Sequence, residues 1–324
     1  MPNVEFYRGC FNSYLEKKIR TKEPQNLYDP IVYIMDLGGK RLRPILTLIS
    51  TDVFGGKYED ALDAALAIEI FHNFSLVHDD IMDAAPLRRG EITVHKKWDV
   101  NTGILSGDVM LINSYQYFES YPADLFKSLI EVFSKTAIEV CEGQQYDMDF
   151  EIRDDVTVPD YLKMITYKTA VLVAAAMKMG AIIARSSEEL QSAIYDYGIN
   201  LGIAFQLQDD YLDAFGDPEN FGKQVGGDII ENKKTFLYIR AMELATEEEK
   251  RELKNLFSIK PQNPHEKIQT VKQIFIKSGA AELTRKEIEK YTKQAFQILE
   301  SLDAPEKKKG ILQRFGNKLM NREV

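Results

Sequence analysis

Proline placement is the strongest constraint in this sequence. A proline ring removes a backbone donor and tends to start or end a helix. Pro44, Pro86, Pro122, Pro159, Pro218 and Pro261 leave long proline-free segments between them, each long enough for one or two helices. Inside those segments apolar residues recur at helical spacing, as in Leu62, Leu66, Ile70, Phe74 and Val77, and in Leu190, Ile194, Tyr197, Leu201, Ala204 and Phe205. Period-two alternation bounded by turn residues is hard to find. The pattern predicts an all-α chain with helices over 4–20, 40–54, 59–84, 99–120, 122–149, 159–185, 188–215, 232–256, 264–278, 279–301 and 304–321. No low-complexity linker separates them, so residues 1–324 are expected to form a single domain.

Composition narrows the function classes. The chain carries 41 Lys+Arg against 50 Asp+Glu, a formal charge of −9, with no dense basic stripe. It has no electrostatic footprint for nucleic acid or anionic lipid, and no nucleic-acid partner is expected. The segment from Met1 to Glu5 lacks a basic stretch followed by an apolar run, and the apolar run Val171 to Ala184 is interrupted by Lys178. Neither a signal peptide nor stable membrane insertion is therefore expected. Only Cys10 and Cys141 occur, too few for a disulfide framework or a thiolate metal site, which fits a reducing cytoplasm.

Two predicted helices, Ala61 to Met82 and Ala193 to Phe215, are apolar on nearly every face, which places them at the centre of a bundle. Each ends in the same pattern: Asp79-Asp80-Ile81-Met82-Asp83 in one, Asp209-Asp210-Tyr211-Leu212-Asp213 in the other. The first and last aspartates of each copy are i and i+4, so both lie on one helical face, one turn apart. A helix C-terminus already carries partial negative charge, so three aspartates there need a positive partner. Carboxylate oxygens without thiolates, in a chain with only four histidines, point to Mg²⁺, a hard cation usually shared with substrate phosphates. The metal in turn predicts a phosphorylated ligand.

Cations suited to that ligand are present. Gly38-Gly39-Lys40-Arg41-Leu42-Arg43-Pro44 puts three positive charges at a helix start, Arg88-Arg89-Gly90 follows the first cluster, and Lys168-Thr169 interrupts an apolar helix. Gly222-Lys223 and Lys233-Lys234 flank the loop after the second cluster. No G-x-x-x-x-G-K-[ST] loop occurs, which excludes a P-loop nucleotide site.

These residues together resemble the trans-isoprenyl diphosphate synthases, the polyprenyl synthetases. The match runs in order through Gly38 to Pro44, His72-x-x-Ser75-Leu76-x-His78-Asp79-Asp80-x-x-Asp83 with Arg88-Arg89-Gly90, Lys168-Thr169-Ala170, and Phe205-Gln206-x-x-Asp209-Asp210-x-x-Asp213 with Gly222-Lys223 and Gly227-Asp228. The resemblance implies a single orthogonal helical bundle of the isoprenoid synthase type around a central cavity, usually a homodimer. It implies Mg²⁺-dependent, head-to-tail condensation of isopentenyl diphosphate with an allylic diphosphate, three metal ions being bound in the substrate complex.

Carried over position by position, the resemblance makes Asp79, Asp83 and Asp209 the metal ligands, with Asp80, Asp210 and Asp213 supporting them from behind. Arg88, Lys168 and Lys223 are expected on the allylic diphosphate, Lys40, Arg43, His72 and Arg89 on isopentenyl diphosphate, and Lys233 among the substrate cations. Thr169 and Gln206 would offer oxygen dipoles near the allylic cation, a charge that metal-bound diphosphate would help to release. Ser75 and Phe71 lie four and eight residues before Asp79 on its helical face, and Phe74 is the bulky neighbour. In the family that arrangement resembles short-chain synthases making twenty-carbon products, with fifteen carbons as the alternative. A class I terpene cyclase would share the first cluster but not a second DDxxD, and a non-catalytic regulatory subunit tends to lose one of the two.

Overall fold

The structure is a computed structural model and describes residues 3–217 and 225–320. Its elements are helices, apart from one two-stranded hairpin among the described residues. The chain divides into two compact units, one formed by Met1–Lys135, Ala175–Tyr195 and Leu302–Leu312, the other by Thr136–Ala174, Asp196–Ser301 and Gln313–Val324.

The first unit contains α1 (Val4–Lys18), α2 (Gln25–Asp36), α3 (Leu42–Val53), α4 (Leu62–Met82), the hairpin β1 (Leu87–Arg88) and β2 (Glu91–Ile92), α5 (Val94–Lys97) and α6 (Val100–Gln116). Helix α4 is its centre: Ala64, Ala65, Leu66, Ala67, Ile68, Ile70, Phe71, Phe74 and Val77 are all buried, as expected of a helix apolar on every side. Its one interior carboxylate, Glu69, is neutralised by Arg41, whose Nη1 donates to Oε1 at 2.6 Å. Arg41 also donates to the Met35 carbonyl and stands in the left-handed region (φ 49) just ahead of α3. The hairpin turns through Arg89 (φ 56) and Gly90 (φ 83), both left-handed as a two-residue hairpin turn of type I′ requires.

The second unit holds most of α7 (Ala123–Ile152), then α8 (Val158–Ile165), a π-helical turn over Thr166–Ala170, the start of α9 (Val171–Ile183) and most of α10 (Glu188–Phe215). It continues with α11 (Gly227–Ile230), α12 (Phe236–Leu244), α13 (Glu247–Leu256), α14 (His265–Lys277) and α15 (Ala280–Ser301), and ends in part of α16 (Glu306–Met320). Its core joins Phe150, Tyr161, Ile165, Ile203, Leu207, Tyr211, Phe236, Val271 and Phe275. Thr157 opens α8 with a reciprocal capping box to Asp160.

Three sequence expectations need correction. The helix α2 is absent from the predicted helices. Pro24 occupies its N-cap, and Pro30 lies only about one turn inside, so one intrahelical bond is lost while Pro30, Ile31, Ile34 and Met35 are buried. The predicted helix 232–256 is two helices: Ala245 is extended (ψ 162) and Thr246 caps α13 with Glu249. Residues 159–185 are interrupted by the π turn. The apolar run lies within the helical stretch Val158–Ile183, which contains an 18-residue segment apolar enough in composition to cross a membrane, and 72% of that segment is buried inside the protein. Such burial is what an interior helix of a folded bundle also shows.

Candidate active site

In the first unit α4 delivers its aspartates to a helix end. Asp79 is half-buried, Asp80 is buried and Asp83 is exposed at the C-cap. The positive partner demanded by this helix end is Arg88, which the hairpin carries back over it. Its Nε donates to both Asp80 oxygens at 2.9 and 3.2 Å, and Nη2 lies 3.4 Å from Asp79 Oδ2. Burial still pushes the Asp80 carboxyl above the usual range, Arg88 offsetting only part of that.

The same unit gathers a second cationic group. Arg43 Nη1 is 3.2 Å from His72 Nε2, and Arg89 donates to the Gly38 carbonyl of the turn ahead of α3. Since guanidinium can only donate, His72 accepts through Nε2 and is the neutral tautomer protonated on Nδ1. Burial, then Arg43 and Arg89, hold its imidazole well below the ordinary histidine range. Burial lowers the Arg43 guanidinium to about 10, and its Nε is a buried donor with no protein acceptor among the described residues. Lys40 is exposed. Arg43, His72 and Arg89 thus come together, while Arg41, from the same heptad, anchors α3 to Glu69.

In the second unit the aspartate helix end is wired through hydrogen bonds. Asp210 is buried, accepts from the Tyr161 hydroxyl and from Gln206 Nε2 at 2.9 Å, and its carboxyl is pushed up to about 7 by burial. Thr169 Oγ1 donates to Gln206 Oε1 at 3.1 Å, so Thr169, Gln206 and Asp210 form one chain. Asp213 Oδ2 accepts the Asp228 backbone N–H at 2.9 Å. Burial, then Asp210 and Asp213, raise the Asp228 carboxyl well above the usual range. Asp209 is half-buried. Lys168 Nζ meets Asp147 Oδ2 at 2.6 Å, and Lys233 Nζ lies 3.6 Å from the same oxygen and 2.8 Å from Glu151. Burial alone would raise Asp147, but the two lysines pull its carboxyl below the usual range.

Lys168 and Thr169 sit on the π turn. Such turns are rare and concentrate at functional sites. The neighbouring helices reach it through glycines: a Cβ on Gly143 of α7 would lie 2.2 Å from Lys168 N, and one on Gly202 of α10 would lie 2.6 Å from Ala170 Cα. Lys223 lies outside the described residues. Sequence reasoning missed Asp147, Tyr161 and the role of Arg41. A buried-face aspartate four residues after Gly143 was the only local sign of Asp147.

The residues singled out for product length lie along α4. Phe71 and Phe74 are buried with ring centroids 5.5 Å apart, and Phe74 stands edge-on to His78 at 4.7 Å. Phe71 packs against Phe133 at 5.3 Å, and Ser75 Oγ donates to the His72 carbonyl at 2.8 Å.

Among the described residues no three His, Cys, Asp or Glu side chains form a ready-made metal cage. Mg²⁺ does not require one: one or two carboxylates suffice, with water and phosphate oxygens completing the octahedron. The half-buried or exposed carboxylates at Asp79, Asp83 and Asp209 suit that donor chemistry, while Asp80 and Asp210 are buried and accept from Arg88 and from Tyr161 with Gln206.

The Polyprenyl synthetase family model matches residues 24–275. A short chain isoprenyl diphosphate synthase of Methanothermobacter thermautotrophicus is 38% identical over 304 residues, 93% of each chain. A geranylgeranyl diphosphate synthase of Methanosarcina mazei is 41% identical over 232 residues, 71% of each chain. Among solved structures, a geranylgeranyl pyrophosphate synthase is 55% identical and superimposes with a TM-score of 0.96 over 100% of both chains.

Proposed function

Since the chain belongs to the polyprenyl synthetase family and is a prenyltransferase, we propose that it condenses isopentenyl diphosphate with an allylic diphosphate to give a twenty-carbon, all-trans prenyl diphosphate. The observation that carries this reading is the completeness of the residue set: two intact aspartate-ended helices, each accompanied by its own cations. The product assignment is supported by the geranylgeranyl relatives and by the Phe71–Phe74 pair on α4. The family match runs through segments of both units, in keeping with one polyprenyl synthetase domain over residues 1–324. We assign it to the cytoplasm as a homodimer, on the family's precedent.

In this reading Arg43, Arg89 and Lys40 take the diphosphate of isopentenyl diphosphate. The unspent Arg43 Nε–H is a donor suited to an anion, and neutral His72 can turn Nδ1–H toward the same oxygens. Asp79, Asp83 and Asp209 would hold Mg²⁺, which when bound neutralises charge on the departing allylic diphosphate. Arg88, Lys168 and Lys233 add fixed positive charge there, with Lys223 assigned by its motif position. The allylic C–O bond breaks with its electron pair leaving on the diphosphate. The isopentenyl alkene then attacks the allylic carbon, forming the new C–C bond and a tertiary cation. Thr169 and Gln206 direct oxygen lone pairs toward passing positive charge without offering an activated nucleophile, since each is tied into the chain to Asp210. The tertiary cation loses a proton to the released diphosphate.

The test is incubation with isopentenyl diphosphate, Mg²⁺ and dimethylallyl, geranyl or farnesyl diphosphate in turn, with products separated by chain length. Accumulation of the twenty-carbon product from all three is expected, with loss of turnover when metal is chelated. No elongation of any substrate would sink the reading, and a product ending at fifteen carbons or running past twenty would overturn its chain length.

A further inference from the structure

Helix α14 carries a lysine that the reaction does not use. Lys267 is 3% exposed, and its Nζ donates to the Ile259 carbonyl at 2.9 Å, to the Ile230 carbonyl at 3.4 Å and to the side-chain oxygen of Asn232. All three acceptors are neutral, and burial lowers its pKa below the ordinary lysine value. An ammonium taken out of water to serve neutral oxygens is an expensive way to join segments. What it joins is the turn between α11 and α12. Ile230 ends α11, Asn232 stands in the left-handed region (φ 62), and Lys233 N donates to the Asp228 carbonyl at 2.9 Å. The N-terminal end of α11 is approached by the next residue of α14, since a Cβ on its N-cap Gly226 would lie 3.0 Å from the Ile268 side chain. The segment so gripped, α11 and the turn after it, carries Asp228, whose N–H holds Asp213, and Lys233, whose ammonium faces Asp147 and Glu151.

We infer that Lys267 is a positioning residue for the second aspartate cluster: through Ile230 and Asn232 it sets where Asp228 and Lys233 stand, and so governs the allylic diphosphate side of the reaction. This rests on the proposed reading that Lys233 serves that substrate. The isopentenyl cations Arg43, His72 and Arg89 belong to the other unit.

Two substitutions and two readouts decide it. Lys267→Met removes the ammonium and keeps an unbranched apolar stem. Asn232→Gly removes one acceptor from a backbone conformation glycine adopts freely, so it tests the same linkage should the lysine variant fail to fold. Hydrogen exchange at the Asp228 and Lys233 amides should accelerate about tenfold in Lys267→Met, the scale of one lost hydrogen bond to a charged group, with α10 amides unchanged. KM for the allylic diphosphate should rise by a similar factor and KM for isopentenyl diphosphate should not, Asn232→Gly following in the same direction. Unchanged protection at Asp228 and Lys233, or a parallel rise of both KM values with faster exchange throughout α10, would overturn the inference. Absence of condensation by the unmodified protein would instead defeat the functional reading, and the exchange data would still judge the positioning.

Discussion

Gly143→Ala is the sharpest single test of the π turn. The added Cβ would lie 2.2 Å from Lys168 N and 2.7 Å from both Lys168 Cα and Tyr167 C. These are backbone atoms, so no rotamer change relieves the contact. Restoring ordinary separation, about 3.4 Å, opens the 2.2 Å approach by about 1.2 Å. Asp147, the partner of Lys168, is four residues further along α7 on the same face, so the displacement also disturbs the 2.6 Å ion pair. A shift near 1 Å in a substrate-positioning group costs on the order of a hundredfold in rate, and overpacking costs about 1–3 kcal/mol of stability. Turnover under saturating substrates, KM for each substrate and thermal unfolding by circular dichroism would be measured beside Gly9→Ala. Gly9 lies in α1 with nothing within 4 Å of its would-be Cβ, so that control should retain full activity. Turnover of Gly143→Ala within about threefold of the unmodified protein, with an unchanged unfolding midpoint, would refute the steric reasoning.

Asp79→Ala and Asp209→Ala should each remove most turnover, about a hundredfold or more, because metal-borne charge stabilisation is worth several kcal/mol; near-normal rates in either folded variant would defeat the two-cluster mechanism. Arg43→Ala should raise KM for isopentenyl diphosphate more than for the allylic substrate, and an equal or reversed effect would show that Arg43 does not serve that site. Phe74→Ala removes a ring packed on Phe71 and His78 and should cost about 3–5 kcal/mol. It should also lengthen the product while condensation persists, and an unchanged product profile from a folded variant would exclude Phe74 from the chain-length floor.

What the amino-acid order settled by itself is whatever depends on neighbours within a turn or two. Helical spacing of apolar residues was enough to mark α4 and α10 as interior helices, and the i, i+4 aspartates at their ends were visible as shared faces. The motif cations could be numbered for the same reason, since each is read against residues beside it in the chain. Helix α2 escaped the periodicity reading, and what holds it is burial of Pro30, Ile31, Ile34 and Met35, which outweighs one missing hydrogen bond. Only the tertiary structure decided which charge meets which. Arg41 and Arg43 are two residues apart, yet one closes on Glu69 and the other on His72. Asp147 bridges Lys168 and Lys233 from a helix whose own sequence holds no sign of either, and the π turn exists where Gly143 and Gly202 admit neighbouring backbones. Helical periodicity is a property of a few consecutive residues, whereas such pairings depend on how segments far apart in the chain pack together, and no local spacing encodes that.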